Sequence, residues 1–199
     1  MKINLGIEKL TAGIGRVMGG HKKVVVIAQC RLSSTRLPGK ALLPLGDKAV
    51  LDWTLEAMKK VKADDYWLAV DHESKAALAP HAEKYGWKIF AGSLEDVLER
   101  FCGAIKESGA DVVVRATADN PFLFYDAANE MIEEYFNREK SSPVDYLTYS
   151  GLPHGSGVEM FNAHSLLKAA ELTSSPYDHE HVGPSLYLHT DRFQCAFVK

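Results

Sequence analysis

The chain has 199 residues, enough for one domain with a sizeable core and too few for two large ones. Apolar residues make up 46% and charged residues 25%, which excludes a disordered, collagen-like or coiled-coil chain. With 23 basic and 26 acidic residues and a formal net charge of −3, no bulk positive field recruits nucleic acid or an anionic membrane, so any anion must be caught by a local cluster.

Residues 1–22 contain Gly6, Gly13, Gly15, Gly19 and Gly20 with only a weak amphipathic pattern, and read as a leader or docking arm ahead of a domain spanning 23–199. Gly13, Gly15 and Gly19 are spaced one residue too widely for a dinucleotide fingerprint and precede the first strand. The segment also lacks the apolar core of a secretory signal, and no apolar run approaches the roughly 20 residues that cross a bilayer, so no membrane insertion is predicted. Cys30, Cys102 and Cys195 are widely spaced and odd in number; neither a disulfide framework nor a zinc ribbon is expected, and a reducing cytoplasm is the simplest compartment.

From Lys23 onward apolar runs alternate with helical periodicity, the pattern of βαβ units around a mainly parallel sheet. Val24 to Ala28 is the first buried strand. Pro44 and Gly46-Asp47 mark a turn, and Leu51, Leu55, Met58 and Val61 then recur at helical spacing. Tyr66 to Val70 reads as a strand, Ala76 to Lys84 as a helix, Trp87 to Phe90 as a strand and Leu94 to Lys106 as a helix. The β-branched run Val112 to Val114 leads to Thr117-Ala118-Asp119-Asn120-Pro121, where a strand must end. A helix follows from Asp126 to about Arg138, then short strands at Tyr146 to Tyr149 and Val158 to Phe161, where the rhythm turns to α+β. A further helix is expected near Asp178. Cys30 to Lys40 and Thr117 to Asn120 thus fall at carboxyl ends of strands, where open α/β sheets collect their ligands.

The richest segment is Arg31-Leu32-Ser33-Ser34-Thr35-Arg36-Leu37-Pro38-Gly39-Lys40. Two guanidiniums offer forked contacts to phosphate oxygens, an ammonium supplies a point charge, and hydroxyls and backbone amides complete a cradle suited to a polyphosphate. It is not a P-loop, because Ser34 stands where the first glycine belongs and Ala41 replaces the magnesium-binding hydroxyl. Asp119 is the carboxylate placed to hold magnesium against phosphate oxygens. Arg115 either faces a nucleotide or joins a structural ion pair, and Asp71 stands similarly at a strand end. His154, His179, Glu180 and His181 lack the geometry of a transition-metal site, and no histidine adjoins Cys30 to make it a nucleophile.

The phosphate-type loop, Asp119-Asn120-Pro121, Phe90-Ala91-Gly92-Ser93, Asp96-Val97-Leu98-Glu99-Arg100, Gly157-Val158-Glu159-Met160-Phe161 and Glu180-His181-Val182-Gly183-Pro184 with Tyr187 together resemble the sugar cytidylyltransferases, nearest to the spore coat polysaccharide biosynthesis branch. The match runs from about Val24 to Phe193. The resemblance implies a three-layer α/β/α nucleotidyltransferase fold, related to GT-A, with a mainly parallel sheet. It implies CMP transfer from CTP to a sugar acid of bacterial surface polysaccharide, with release of pyrophosphate, dependence on Mg2+ and a homodimer. Carried over by residue, Arg31, Ser34, Arg36, Gly39 and Lys40 would hold the triphosphate, and Asp71, Gly92, Ser93, Arg100 and Arg115 would lie near the nucleoside. Arg31, Lys40 and Asp119 would be catalytic, Asp119 and Glu159 would be metal ligands, and Glu159 and His181 would face the acceptor. Two departures count against full activity. Gly157 stands where relatives often carry an aspartate as second metal ligand, and relatives usually continue beyond the equivalent of Phe193 with another strand and helix, whereas this chain stops at Lys199. An impaired nucleotide-binding or regulatory protein, or a uridylyl- or guanylyltransferase acting on a sugar phosphate, are the alternatives.

Overall fold

The computed structural model describes residues 20–34 and 37–199. Most of the expected leader therefore lies outside the described residues, as does Arg36. Its last residues contact the domain: His21 Nε2 lies 2.7 Å from Asp64 Oδ1, and Lys22 pairs with Glu139.

The strands are β1 (Val24–Cys30), β2 (Pro44–Leu45), β3 (Lys48–Ala49), β4 (Asp65–Asp71), β5 (Lys88–Gly92), β6 (Val112–Thr117), β7 (Tyr146–Tyr149), β8 (Glu159–Asn162) and β9 (Cys195–Val198). The helices are α1 (Val50–Met58), α2 (Lys75–Lys84), α3 (Val97–Ser108), α4 (Tyr125–Glu139), α5 (Ala163–Leu172), α6 (Pro176–His181) and α7 (Pro184–Tyr187). Seven strands form one sheet in the order β5-β4-β1-β6-β8-β7-β9, and β2 and β3 form a small hairpin. Within the large sheet only β8 runs against its neighbours.

The sheet is buried on both faces, which is why β1 reads as an unbroken apolar run rather than an alternating one. Val24, Val26 and Ala28 pack under Leu51, Leu55, Leu78, Met131 and Tyr135 from α1, α2 and α4. Val25 and Ile27 face the other way, toward Leu98, Phe101, Leu166 and Leu186 from α3, α5 and α7. This is the three-layer α/β/α arrangement the sequence leads to.

Differences from the sequence reading are local. The third predicted helix begins at Val97 rather than Leu94, because Asp96 is an N-cap whose side chain accepts the Glu99 N–H at 2.8 Å; residues 93–96 are released as a loop. Helix α5 was not expected, although Asn162 caps it by accepting the Ser165 N–H at 3.1 Å. After Phe193, β9 was not predicted as an element; it pairs in parallel with β7, Leu147 opposite Ala196.

Strand β1 has β4 on one side and β6 on the other. The chain builds outward through β4 and β5, then returns across β1 to β6, so the sheet's order reverses at β1 and β6. Loops leaving these two strands splay apart there, opening a crevice beyond their carboxyl ends.

Candidate active site

That crevice is a cavity of about 750 Å3. Of the residues singled out from sequence, Arg31, Ser34, Lys40, Arg100, Arg115, Asp119 and His181 line it together. Gly39, Asp71, Gly92, Ser93 and Glu159 stand behind it as supports.

The loop after β1 is shaped by its own backbone. Leu32 O accepts from both Ser34 N, at 2.9 Å, and Gly39 N, at 2.8 Å. Gly39 has φ +67°, a left-handed conformation that glycine adopts without steric penalty, and it starts the single 3-10 turn that carries Lys40. From outside, Ser74 Oγ accepts the Leu32 N–H at 3.1 Å, and Ser74 N–H donates to Asp71 Oδ1 at 2.9 Å. The end of β4 therefore buttresses the loop after β1.

The loop after β6 is fixed equally firmly. Ala118 N–H donates to Gln29 O at 2.9 Å, and the Thr54 hydroxyl of α1 donates to Asn120 O at 3.0 Å. Asp119 pairs with Lys40 across the cavity, each side chain about one-third exposed. Arg31 Nη2 lies 3.8 Å from Glu180 on α6, and Glu180 and His181 close that side. His181 packs against Tyr177, with ring centroids 4.4 Å apart and the ring planes tilted by 55°.

Arg115 meets both of its sequence readings at once. It lines the cavity, donates from Nε to Gln29 Oε1 at 3.0 Å and forms an ion pair with Glu159. The other Glu159 oxygen accepts from the Tyr146 hydroxyl at 2.7 Å. Burial, then the neighbouring Glu159 charge, pushes the Tyr146 hydroxyl's pKa up, so it stays protonated as a donor. Both oxygens of Glu159 are thus engaged by protein.

Arg100 is fully buried, at 0% exposure. Its Nη1 donates to Ser93 O, while a Cβ on Gly92 would meet Arg100 Cγ at 3.2 Å; Gly92 and Ser93 hold this arginine rather than touching the cavity. Burial lowers its pKa, opposed by the charge of Asp71. Burial also works against ionisation of Asp71, but hydrogen bonds from Ser74 and the Arg100 charge bring its pKa below the usual carboxylate range. Cys30 lines the cavity, yet burial and then Asp119 push its thiol up to about 12, which makes it an inert packing group.

Among the described residues no group of three or more His, Cys, Asp or Glu is gathered to hold a metal. Magnesium does not require one, because it is commonly bound by one or two carboxylates together with substrate phosphates. Asp119, alone at the end of β6 and facing the loop after β1, fits a hard divalent cation of that kind. His179 is drawn away from any such site, with Nδ1 at 2.8 Å from Asp96 Oδ2. Sequence reasoning missed Gln29 and Glu95 as cavity residues. Gln29 and Thr117 are register partners at the last rungs of β1 and β6, a pairing invisible without the sheet.

The fold is that of the nucleotidyltransferases. The family model for cytidylyltransferases matches residues 25–198, and the chain belongs to that family. The spore coat polysaccharide biosynthesis protein SpsF of Bacillus subtilis is 31% identical over 183 residues, covering 88% of this chain and 75% of SpsF. A cytidylyltransferase structure from Leptospira borgpetersenii superposes with a TM-score of 0.82 at 29% identity, covering 90% of this chain and 76% of that one. CMP:2-keto-3-deoxy-manno-octonic acid synthetase, solved in complex with CTP, shares the fold at TM-score 0.69 and 15% identity, over 89% of this chain and 90% of that one. Rv0371C from Mycobacterium tuberculosis, solved with manganese, does so at TM-score 0.62 and 16% identity, over 89% and 88%. No helix among the described residues is long and apolar enough to cross a membrane.

Proposed function

We propose that this protein transfers CMP from CTP to a sugar acid of surface polysaccharide synthesis, releasing pyrophosphate. The observation that carries the reading is the meeting of Arg31, Ser34, Lys40 and Asp119 in one cavity at the sheet's reversal point. On this reading the loop after β1 takes the β- and γ-phosphates. Lys40 exchanges Asp119 for a phosphate oxygen, and Arg31 exchanges Glu180 likewise. A divalent cation held by Asp119 and the phosphates would supply charge neutralisation as pyrophosphate leaves. His181, with Glu180 beside it, stands on the side left for the acceptor, whose hydroxyl attacks the α-phosphorus. Little covalent chemistry is asked of the protein; positioning and charge neutralisation supply the rate.

The test is pyrophosphate release from CTP and magnesium across a panel of sugar acids. Activity with at least one acid is expected, falling by about 10³-fold in Asp119→Asn. No release with any acid, and no CTP binding, overturns the reading. Gly157 favours a second reading, a nucleotide-binding protein with impaired transfer. A Cβ at residue 157 would meet only Leu152 Cδ1, at 3.6 Å, so Gly157→Asp fits sterically. CTP binding without turnover, with turnover appearing in Gly157→Asp, identifies that case.

A further inference from the structure

Tyr146 on β7 is 2% exposed and does not line the cavity, yet its hydroxyl is spent on a group that leads there. It donates to one oxygen of Glu159 at 2.7 Å. The other oxygen pairs with Arg115 Nη1, and Arg115 Nε donates to Gln29 Oε1 at 3.0 Å. Arg115 and Glu159 are direct register partners on β6 and β8, so these contacts cross four neighbouring strands, β7, β8, β6 and β1. The Tyr146 ring is fixed by Phe161, Tyr187 and Phe197, with centroids 5.6, 5.4 and 5.7 Å away. The junction of α6 and α7 closes over the carboxylate: a Cβ on Gly183 would come within 2.5 Å of Glu159 Oε1 and 3.0 Å of Tyr187 Cε1.

One nitrogen is left over. Arg115 lines the cavity with its side chain 13% exposed. Its Nη2 has no partner among the described residues, and unlike the unpartnered Arg100 nitrogens it is not sealed from solvent. A guanidinium gripped at two of its three nitrogens cannot turn, so the third is a donor set in place before any ligand arrives. Arg115 shares a face of β6 with Thr117, and both line the cavity with Asp119. Arg31 and Lys40 approach from the opposite wall, on the loop after β1. Those mobile cations suit the two outer phosphates of a triphosphate; Arg115, set back on its strand, is left the inner one.

We propose that Arg115 Nη2 donates to an oxygen of the α-phosphoryl group, and that Tyr146 is a positioning residue for this contact, acting through Glu159. On this assignment Glu159 is neither a metal ligand nor an acceptor contact, because both of its oxygens are spent on holding Arg115. Truncating Glu159 or Arg115 would strand the other's charge in a part-buried site and confuse folding with function. Tyr146 offers a cleaner handle, since its hydroxyl carries no charge. The inference rests on the cytidylyltransferase reading for the presence of a nucleotide, but not on the identity of the acceptor.

The test uses the full chain with Tyr146→Phe, which removes the hydroxyl and keeps the ring and every charge. In a nitrogen-15 NMR spectrum the Arg115 Nε–H signal is identified by its loss in Arg115→Lys. It is expected to exchange slowly in wild-type protein and at least about tenfold faster in Tyr146→Phe. Calorimetric titration with magnesium and CTP, CMP or pyrophosphate locates the contact. CMP carries only the phosphoryl group assigned to Arg115, and pyrophosphate stands in for the two assigned to the loop after β1. Tyr146→Phe should weaken CTP and CMP alike, by about three- to tenfold, and leave pyrophosphate unchanged. Unchanged exchange of the Arg115 signal overturns the role of Tyr146. Unchanged CMP affinity, or an equal loss for pyrophosphate, overturns the contact with the α-phosphoryl group. Should Tyr146→Phe not fold, the wild-type signal decides: CMP is expected to shift it and pyrophosphate to leave it in place, and any other pattern overturns the proposal. CTP binding with no transfer to any sugar acid would sink the transfer reading and leave this proposal standing.

Discussion

The two ends of the cavity treat charge in opposite ways. At the loop after β1, Lys40 and Asp119 pair while each is about one-third exposed, and Arg31 and Glu180 lie 3.8 Å apart with still more exposure. At the β4–α3 end, Arg100 and Asp71 are buried, and three of their polar atoms have no protein partner. Water screens the first set, so exchanging a carboxylate for a phosphate oxygen there costs little and contributes little to folding. The second set sits in a low-dielectric interior, where each unmet hydrogen bond is felt in full. The first end can exchange its partners for those of an arriving polyanion; the second holds its charges away from water.

Removing a charge from each end should break this contrast most sharply. Arg100→Met strands the Asp71 carboxylate in the interior, and thermal unfolding should fall by roughly 4–8 °C, on the order of 2 kcal/mol. Combining it with Asp71→Asn should recover most of that loss, which a melting series on the four proteins of the cycle would show. Lys40→Ala, at the wet end, should leave the melting temperature within about 2 °C of wild type. It should instead weaken CTP about tenfold or more, and titration at rising salt would show a shallower salt dependence than wild type.

A smaller effect lies on the surface beside the buried end. The hydrogen bond that His179 donates to Asp96, more than the partial burial that opposes it, raises the pKa of His179 above its ordinary 6.5. Its protonated form thus stabilises the fold fully below pH about 6.5, and that stabilisation is lost as pH rises through the higher folded value. Melting temperature should fall by about 1–2 °C between pH 6 and pH 8. His179→Asn should flatten that part of the profile, since Asp96 keeps its cap on α3 while the titrating partner is gone; an unchanged slope would reject the assignment.

Much of the frame was legible because it depends on local chemistry. The apolar runs at Val24 and Val112 read as buried strands, and the cations of the Arg31 to Lys40 segment, weighed against a solvated basic turn, read as a shaped phosphate-binding loop. The N-cap at Asn162 and the apolar run Cys195–Val198 were also written in the chain, but short late elements give weak periodic signals. The start of α3 moved three residues because one cap outweighed helical spacing.

The sequence by itself determined which residue types were available and the strands at whose carboxyl ends they would fall. It could not determine which charges would be matched. Glu159 reads as a free carboxylate for metal or acceptor, yet β6–β8 register sets it opposite Arg115, and Tyr146 takes its second oxygen. Arg100 is placed near the nucleoside by the resemblance, yet packing over Gly92 withdraws it from water with two donors unpartnered. Arg115 and Glu159 meet across 44 positions of sequence, and electrostatic free energy depends on such neighbours and on the local dielectric. Only the tertiary structure decides them.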